Sequence, residues 1–163
     1  MALYGGSRDI SFIRHINKEL INNIIEQQVG YYKIVLEKTE SNLYGESSQK
    51  TYYDPVLVSC LIENNAQSWG ETEFGADVTK QITARFLRDI LVDIQLVPEV
   101  GDVMLWNEDY YEINGIIENQ LFVGKDPSYS YSNDTTDFGS SISIIVNASY
   151  IRPEKLGITK ERL

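Results

Sequence analysis

Residue types that ordinarily do chemistry are thinly spread along this chain. It holds one histidine, His15, and one cysteine, Cys60, in 163 residues. A single imidazole leaves most histidine-based metal sites without ligands. A single thiol excludes a disulfide framework, a CxxC zinc site and a thioredoxin-like pair. His15 stands beside Arg14 with no nucleophile set near it, so it reads as a surface histidine. Cys60 sits inside the apolar run from Val56 to Ile62, where a small core residue is the expected role. Acidic neighbours such as Glu108 and Asp109 could serve acid–base work or hold Mg²⁺. Adjacent residues on a strand or turn point apart, however, and nothing in the spacing fixes their separation. Asp126, Asp134 and Asp137 share one polar stretch without the spacing and glycine of a calcium loop. No GxxxxGK[ST] phosphate cradle, GxGxxG turn or GxSxG elbow is present. The expectation is no catalytic residue, no cofactor and no metal.

Recognition is better represented than catalysis. Trp69 and Phe74 fall in the polar stretch 63–77, and Tyr129 and Tyr131 in the stretch 125–140; both stretches read as long loops. Aromatic side chains in loops are not needed for a strand core, and they mark protein interfaces. Stacking of nucleic-acid bases is the rival use, but it needs surrounding Lys and Arg that these stretches lack. The net charge of −10 points the same way, since tight phosphate binding needs clustered bases. That charge is unevenly placed. Residues 98–140 carry Glu99, Asp102, Glu108, Asp109, Glu112, Glu118, Asp126, Asp134 and Asp137 against Lys125 alone. Residues 1–50 are balanced, and 152–163 are slightly basic.

The elements that position these residues follow from periodicity. Ile13, Ile16, Leu20 and Ile24, widened by Ile21 and Ile25, predict an amphipathic helix over 9–28, with Ser7 or Asp9 as cap and Gly30 as stop. Its isoleucines are indifferent helix formers, so the helix depends on packing its stripe. The core of its own domain is the expected partner for that stripe, ahead of a neighbouring subunit. From 31 the pattern turns to strands. Tyr31 to Leu36 reads as a strand, 39–50 as a loop, and Val56 to Ile62 as a buried strand. From Val78 the chain alternates cleanly, with Val78, Ile82, Ala84 and Phe86 on one face and Lys80 as the exception. Leu87 to Gln95 suits a short helix, and Pro98 with Gly101 forces a turn. Asp102 to Glu118 reads as a hairpin turning at Asn107-Glu108-Asp109 with a bulge at Gly115. Leu121 to Val123 extends that ladder, and Ser141 to Arg152 is the last strand, ended by Pro153. Strands follow one another as a meander. The fold class is therefore mainly β: a small antiparallel β-barrel or sandwich with an amino-terminal amphipathic helix and a short helix between strands. One domain spans 1–163, with a β-rich core over 31–152 and a tail over 153–163. No run approaches the roughly 20 apolar residues of a membrane span. The opening Met1 to Gly6 lacks the basic flank and apolar stretch of a signal peptide, so a cytosolic-type domain is expected.

Val97-Pro98-Glu99-Val100-Gly101-Asp102-Val103, followed by Met104-Leu105-Trp106 and Tyr110-Tyr111-Glu112-Ile113, resembles a known family. The likeness is to the neck or head-closure proteins of tailed bacteriophages, in particular the smaller neck protein of contractile-tailed phages and their cyanophage relatives. The opening Met1 to Asp9 and the segment Tyr44-Gly45-Glu46-Ser47 are similar to members of the same group. The chain is shorter than the larger neck proteins of that type, so contacts made by their extra segments are not carried over.

This resemblance implies a structural component of the virion, assembled in the host cytoplasm as a homo-oligomeric ring between portal vertex and tail. Such a ring closes the filled head and docks the tail. Its partners would be the portal or adaptor ring on one side and the tail terminator or tail proteins on the other. DNA would be enclosed without specific binding, and no membrane would be involved. An acidic lumen repels phosphates and lets DNA slide, which makes Glu108, Asp109 and Glu118 the candidate channel-facing acids. Trp69, Phe74, Tyr129 and Tyr131 are the candidate interface residues. A tail terminator or another ring protein of the same junction is the near alternative. A small acidic metal-dependent hydrolase is the alternative from another class; it requires clustered carboxylates and a pocket.

Overall fold

A computed structural model describes residues 7–35, 40–41, 47–64, 68–72, 75–121, 141–153 and 156. Helix α1 runs over Ser7–Glu19 and continues as one wider π-type turn over Leu20–Ile25. The Glu26 N–H closes that turn on the Ile21 carbonyl at 3.0 Å, and Glu26 itself adopts a left-handed conformation at φ 51°. The helix thus ends before the expected residue 28. Gly30 does not stop it, because Gly30 lies buried within the next strand, facing Leu105.

Among the described residues eleven strands follow in chain order: β1 Gln28–Tyr32, β2 Glu40–Ser41, β3 Ser47–Gln49, β4 Val56–Ser59, β5 Leu61–Asn64, β6 Ser68–Thr72, β7 Gly75–Thr79, β8 Gln81–Leu87, β9 Val103–Trp106, β10 Asp109–Leu121 and β11 Ser141–Ile151. Helix α2, Arg88–Asp93, lies between β8 and β9. The chain is mainly β, as its periodicity indicates. Seven strands form one antiparallel sheet in the order β4-β1-β9-β10-β11-β8-β5. The pairs β2–β3 and β6–β7 stand as separate two-stranded ribbons.

The two edge strands of the large sheet are neighbours in sequence. Val56 to Ser59 pair with β1, Leu61 to Asn64 pair with β8, and only Cys60 separates them. Hydrogen bonds do not join β4 to β5, yet one extended run, 56–64, lies on both edges and draws the sheet round its core. The junction is tied to one residue of the helix-to-β1 connection. Gln27 accepts the Cys60 N–H on its backbone oxygen at 3.0 Å and the Ile62 N–H on its side-chain oxygen at 3.2 Å. Its apolar part, Val56 to Ile62, reads from the sequence as a buried strand. Instead it alternates from Leu57 onward, with Val58 and Cys60 inside and Leu57 and Leu61 exposed, because only one face of a strand meets the core, and Val56 at its start is exposed as well.

Of the polar stretches 39–50 and 63–77, both expected as loops, the described residues are mostly strand. The first contains β2 and β3, and the second holds β6 and β7 as an extension of the β5–β8 hairpin. Their residues are mostly polar, so the sequence offers no apolar alternation to read. Lys80, the one break in the alternation, is where the β7 ribbon ends and β8 joins the main sheet. Asn107 and Glu108 both take positive φ, 51° and 67°, forming a tight turn with the twist hairpins favour. A register shift between Ile113 and Gly115 marks the expected bulge.

The sheet is covered on both faces over part of its width, and this explains the paired tyrosines. Tyr31, Met104 and Tyr111 belong to the main core with Val29, Phe86, Ile82 and Val146. Their chain neighbours Tyr32, Val103 and Tyr110 point to the other face, where Leu156 of the tail covers them. Successive aromatic residues are therefore both buried, where a sheet covered on one face would expose one of each pair. Tyr31 meets Phe86 edge-on at 6.3 Å, and Tyr111 meets Tyr150 similarly.

Burial has a pH consequence. It pushes the Cys60 thiol up to about 12 from an ordinary 9.0. The Tyr31, Tyr52 and Tyr111 hydroxyls are likewise held above their ordinary 10.0, chiefly by burial, then by Asp102 for Tyr31, Glu112 for Tyr52 and Asp109 for Tyr111. All four stay protonated in the fold and ionise at their ordinary values in the unfolded chain. The folded state then binds more protons above pH 9, so stability falls as pH rises from about 9 to 12. Urea unfolding at pH 8 and pH 10.5 should show a lower midpoint at the higher pH; equal midpoints would exclude this linkage.

Candidate functional site

The turn on which the sequence resemblance rests is organised by one buried carboxylate. Asp102 is fully buried. Its Oδ2 accepts hydrogen bonds from the Tyr31 hydroxyl at 2.6 Å, from Lys33 Nζ at 3.1 Å and from the Glu99 N–H at 2.9 Å. Its Oδ1 accepts the Ile34 N–H at 2.9 Å. Lys33 also donates to the Val97 carbonyl at 2.8 Å and pairs with Glu99 at 3.0 Å. The backbone completes the joint. Gly101 N–H donates to the Ile113 carbonyl at 3.0 Å, and Ile113 N–H donates to the Asp102 carbonyl at 2.9 Å. Gly101 holds φ +97°, a left-handed conformation that a side chain resists. Three separate stretches, 31–34, 97–102 and 113, are thus fastened at one point.

This changes what the acidic segment is. Counted along the chain, 98–140 is almost free of bases; in space, bases from elsewhere meet its acids. Asp102 and Glu99 meet Lys33, Asp109 meets Lys80 at 2.7 Å, Glu112 meets Lys50, and Glu118 meets Arg88 at 3.7 Å. Lys80 lies 5.4 Å from the centre of the Tyr150 ring as well. Its ammonium is held above the ordinary value, first by the hydrogen bond to Asp109. Among the described residues Glu108 has no base paired with it, and its turn exposes it. Asp126, Asp134 and Asp137 lie outside the described residues.

The candidate channel acids do not form a cluster. Glu108 and Asp109 stand at the turn that opens β10, and Glu118 lies nine residues further along that strand, a separation of up to about 30 Å. Of the candidate interface residues, Trp69 is brought into β6, where it pairs with Val78 of β7, so it is not in a loop. Phe74, Tyr129 and Tyr131 lie outside the described residues. His15 is exposed and Cys60 is fully buried. Among the described residues, no three His, Cys, Asp or Glu side chains gather as metal ligands would. No described helix is long and apolar enough to cross a membrane.

Sequence reading missed the roles of Tyr31 and Lys33. The Pro98, Gly101 and Asp102 spacing signalled the turn, but nothing local ties a turn to a strand about seventy residues earlier. No family model matches the sequence, and no curated protein matches it either.

Removing the Asp102 carboxylate strands a buried tyrosine hydroxyl, a lysine and two backbone N–H groups. Asp102→Ala should cost about 3–5 kcal/mol in urea unfolding. A loss under about 1 kcal/mol, the scale of one ordinary hydrogen bond, would show that the joint is not structural.

Proposed function

We propose that this chain is a structural ring component of a bacteriophage head–tail junction. Within that class the reading is narrower: a neck protein of the contractile-tailed type, closing the filled head and offering the surface on which the tail docks. One observation carries it. The residues that resemble the neck family fall in one structural unit: the turn from Pro98 to Asp102 is fastened to the end of β1 and to Ile113, and Tyr110 to Glu112 pair with the β9 strand that the turn launches.

Two further features support a ring protein. The β6–β7 ribbon pairs with no strand of the main sheet, and it continues the β5–β8 hairpin. A ribbon of this kind suits contact with the next subunit or the next ring, since heterologous contacts need a surface that differs from the one it meets. Glu108, at the turn that opens β10, suits a lining past which DNA slides, because among the described residues no base pairs with it; Asp109 and Glu118 carry bases of their own. For Glu108 and Glu118 both to face the lumen, β10 must run along the channel.

Cryo-microscopy of the neck of the assembled particle tests the proposal. A ring of this fold between portal and tail is expected, and its absence from that position would refute the assignment. Within such particles, Glu108→Lys should impair DNA passage on ejection while leaving the fold intact. Unchanged ejection would remove Glu108 from the channel.

A further inference from the structure

We infer that the outward row of the amino-terminal helix is a surface on which two copies of this chain pair, crossing antiparallel about a two-fold axis between Ile16 and Leu20. The helix carries two apolar rows. Ile21 is buried in the core and Ile13 packs against it. Arg14 and Lys18 pair with Asp89 and Asp93 of α2, which fixes the rotation of the helix on the domain. The second row is left facing solvent: Phe12 is 64% exposed, Ile16 42%, Leu20 40% and Ile24 72%. Ile25 and Leu61 extend it, and a groove of about 370 Å³ beside them is lined by Leu20, Ile21 and Ile142. Together these side chains leave on the order of 500 Å² of apolar surface uncovered, the size at which a patch marks an interaction site.

The spacing names the occupant. Residues 12, 16, 20 and 24 recur every four places, so the row reads alike from either end. An antiparallel second copy sets Ile16 against Leu20 and Phe12 against Ile24. The flank is complementary too. Ser11, His15, Glu19 and Asn23 run beside the row, and the described members of that line are exposed. Antiparallel pairing sets this flank against the same flank of the second copy in reverse, which brings His15 beside Glu19 twice over, whereas parallel pairing sets it against the opposite flank and makes no such pair. The apolar row and its polar flanks together approach the roughly 800 Å² per partner that a standard interface buries. This inference does not rest on the neck reading.

Analytical ultracentrifugation of the full chain at micromolar concentration tests it. The expected species has twice the monomer mass of 18.6 kDa. Ile16→Glu and Leu20→Glu replace exposed residues, so each should keep the circular dichroism spectrum and urea midpoint of the parent. Each should weaken pairing at least about 100-fold, because pairing would then bury a charge against an apolar row. Orientation is read separately, by oxidising Ile16→Cys and Leu20→Cys chains alone and mixed. Cross-links only in the mixture support the antiparallel arrangement; self-linking of Ile16→Cys alone overturns it. A parent chain that stays monomeric at every concentration overturns the pairing, whatever else then covers the row. A dimer unaffected by both glutamates does so too.

Discussion

Asp102 is the constraint on which the rest of the sheet depends. A carboxylate with no solvent is tolerable only when nearly every lone pair is taken, and here a phenol, an ammonium and two backbone amides take them. Those donors come from the end of β1 and from the turn that launches β9. The joint therefore sets where β9 enters the sheet, and with it the register of the β9–β10 hairpin. Because β10 carries β11, and β11 carries β8, an error at this one point would propagate across most of the sheet. The buried charge adds specificity, since a wrong register would leave it unpaired.

Electrostatics in this protein is a property of sheet order more than of sequence order. Lys33, Lys50, Lys80 and Arg88 are scattered over the half of the chain that precedes the acidic segment, yet each meets one of its acids. The described acids of β10, Asp109, Glu112 and Glu118, are therefore each matched by a base. A negative lining on this strand would be narrow, concentrated at its opening turn.

Much of the fold was legible in the sequence because one-sided burial writes itself as alternation. Val78 to Phe86 declared β8 and its face, and even the misfit Lys80 marked a real boundary. Asn107 declared a turn, since few residues suit a left-handed backbone, and Gly115 stands at the register shift. The illegible parts share a cause. β6 and β7 are mostly polar and show no apolar alternation, and the run Val56 to Ile62 looked almost continuously apolar although Val56, Leu57 and Leu61 face outward. The helix looked like an ordinary core helix, and its stripe was wide enough for two faces. Asp102 could be read as a turn residue but not as a hub, because its partners are distant in sequence.

The run 56–64 has a mechanical consequence. Most sheets can fray from either margin independently, one strand at a time. In this one the two margins are successive residues of a single segment, clasped at Cys60 by Gln27. Loosening one margin pulls on the other, and neither β1 nor β8 can shed its outer neighbour without straining the opposite border. The segment works as a buckle. The sheet should open as a whole or stay shut, with partial peeling suppressed by the connectivity of the chain and not by any one contact.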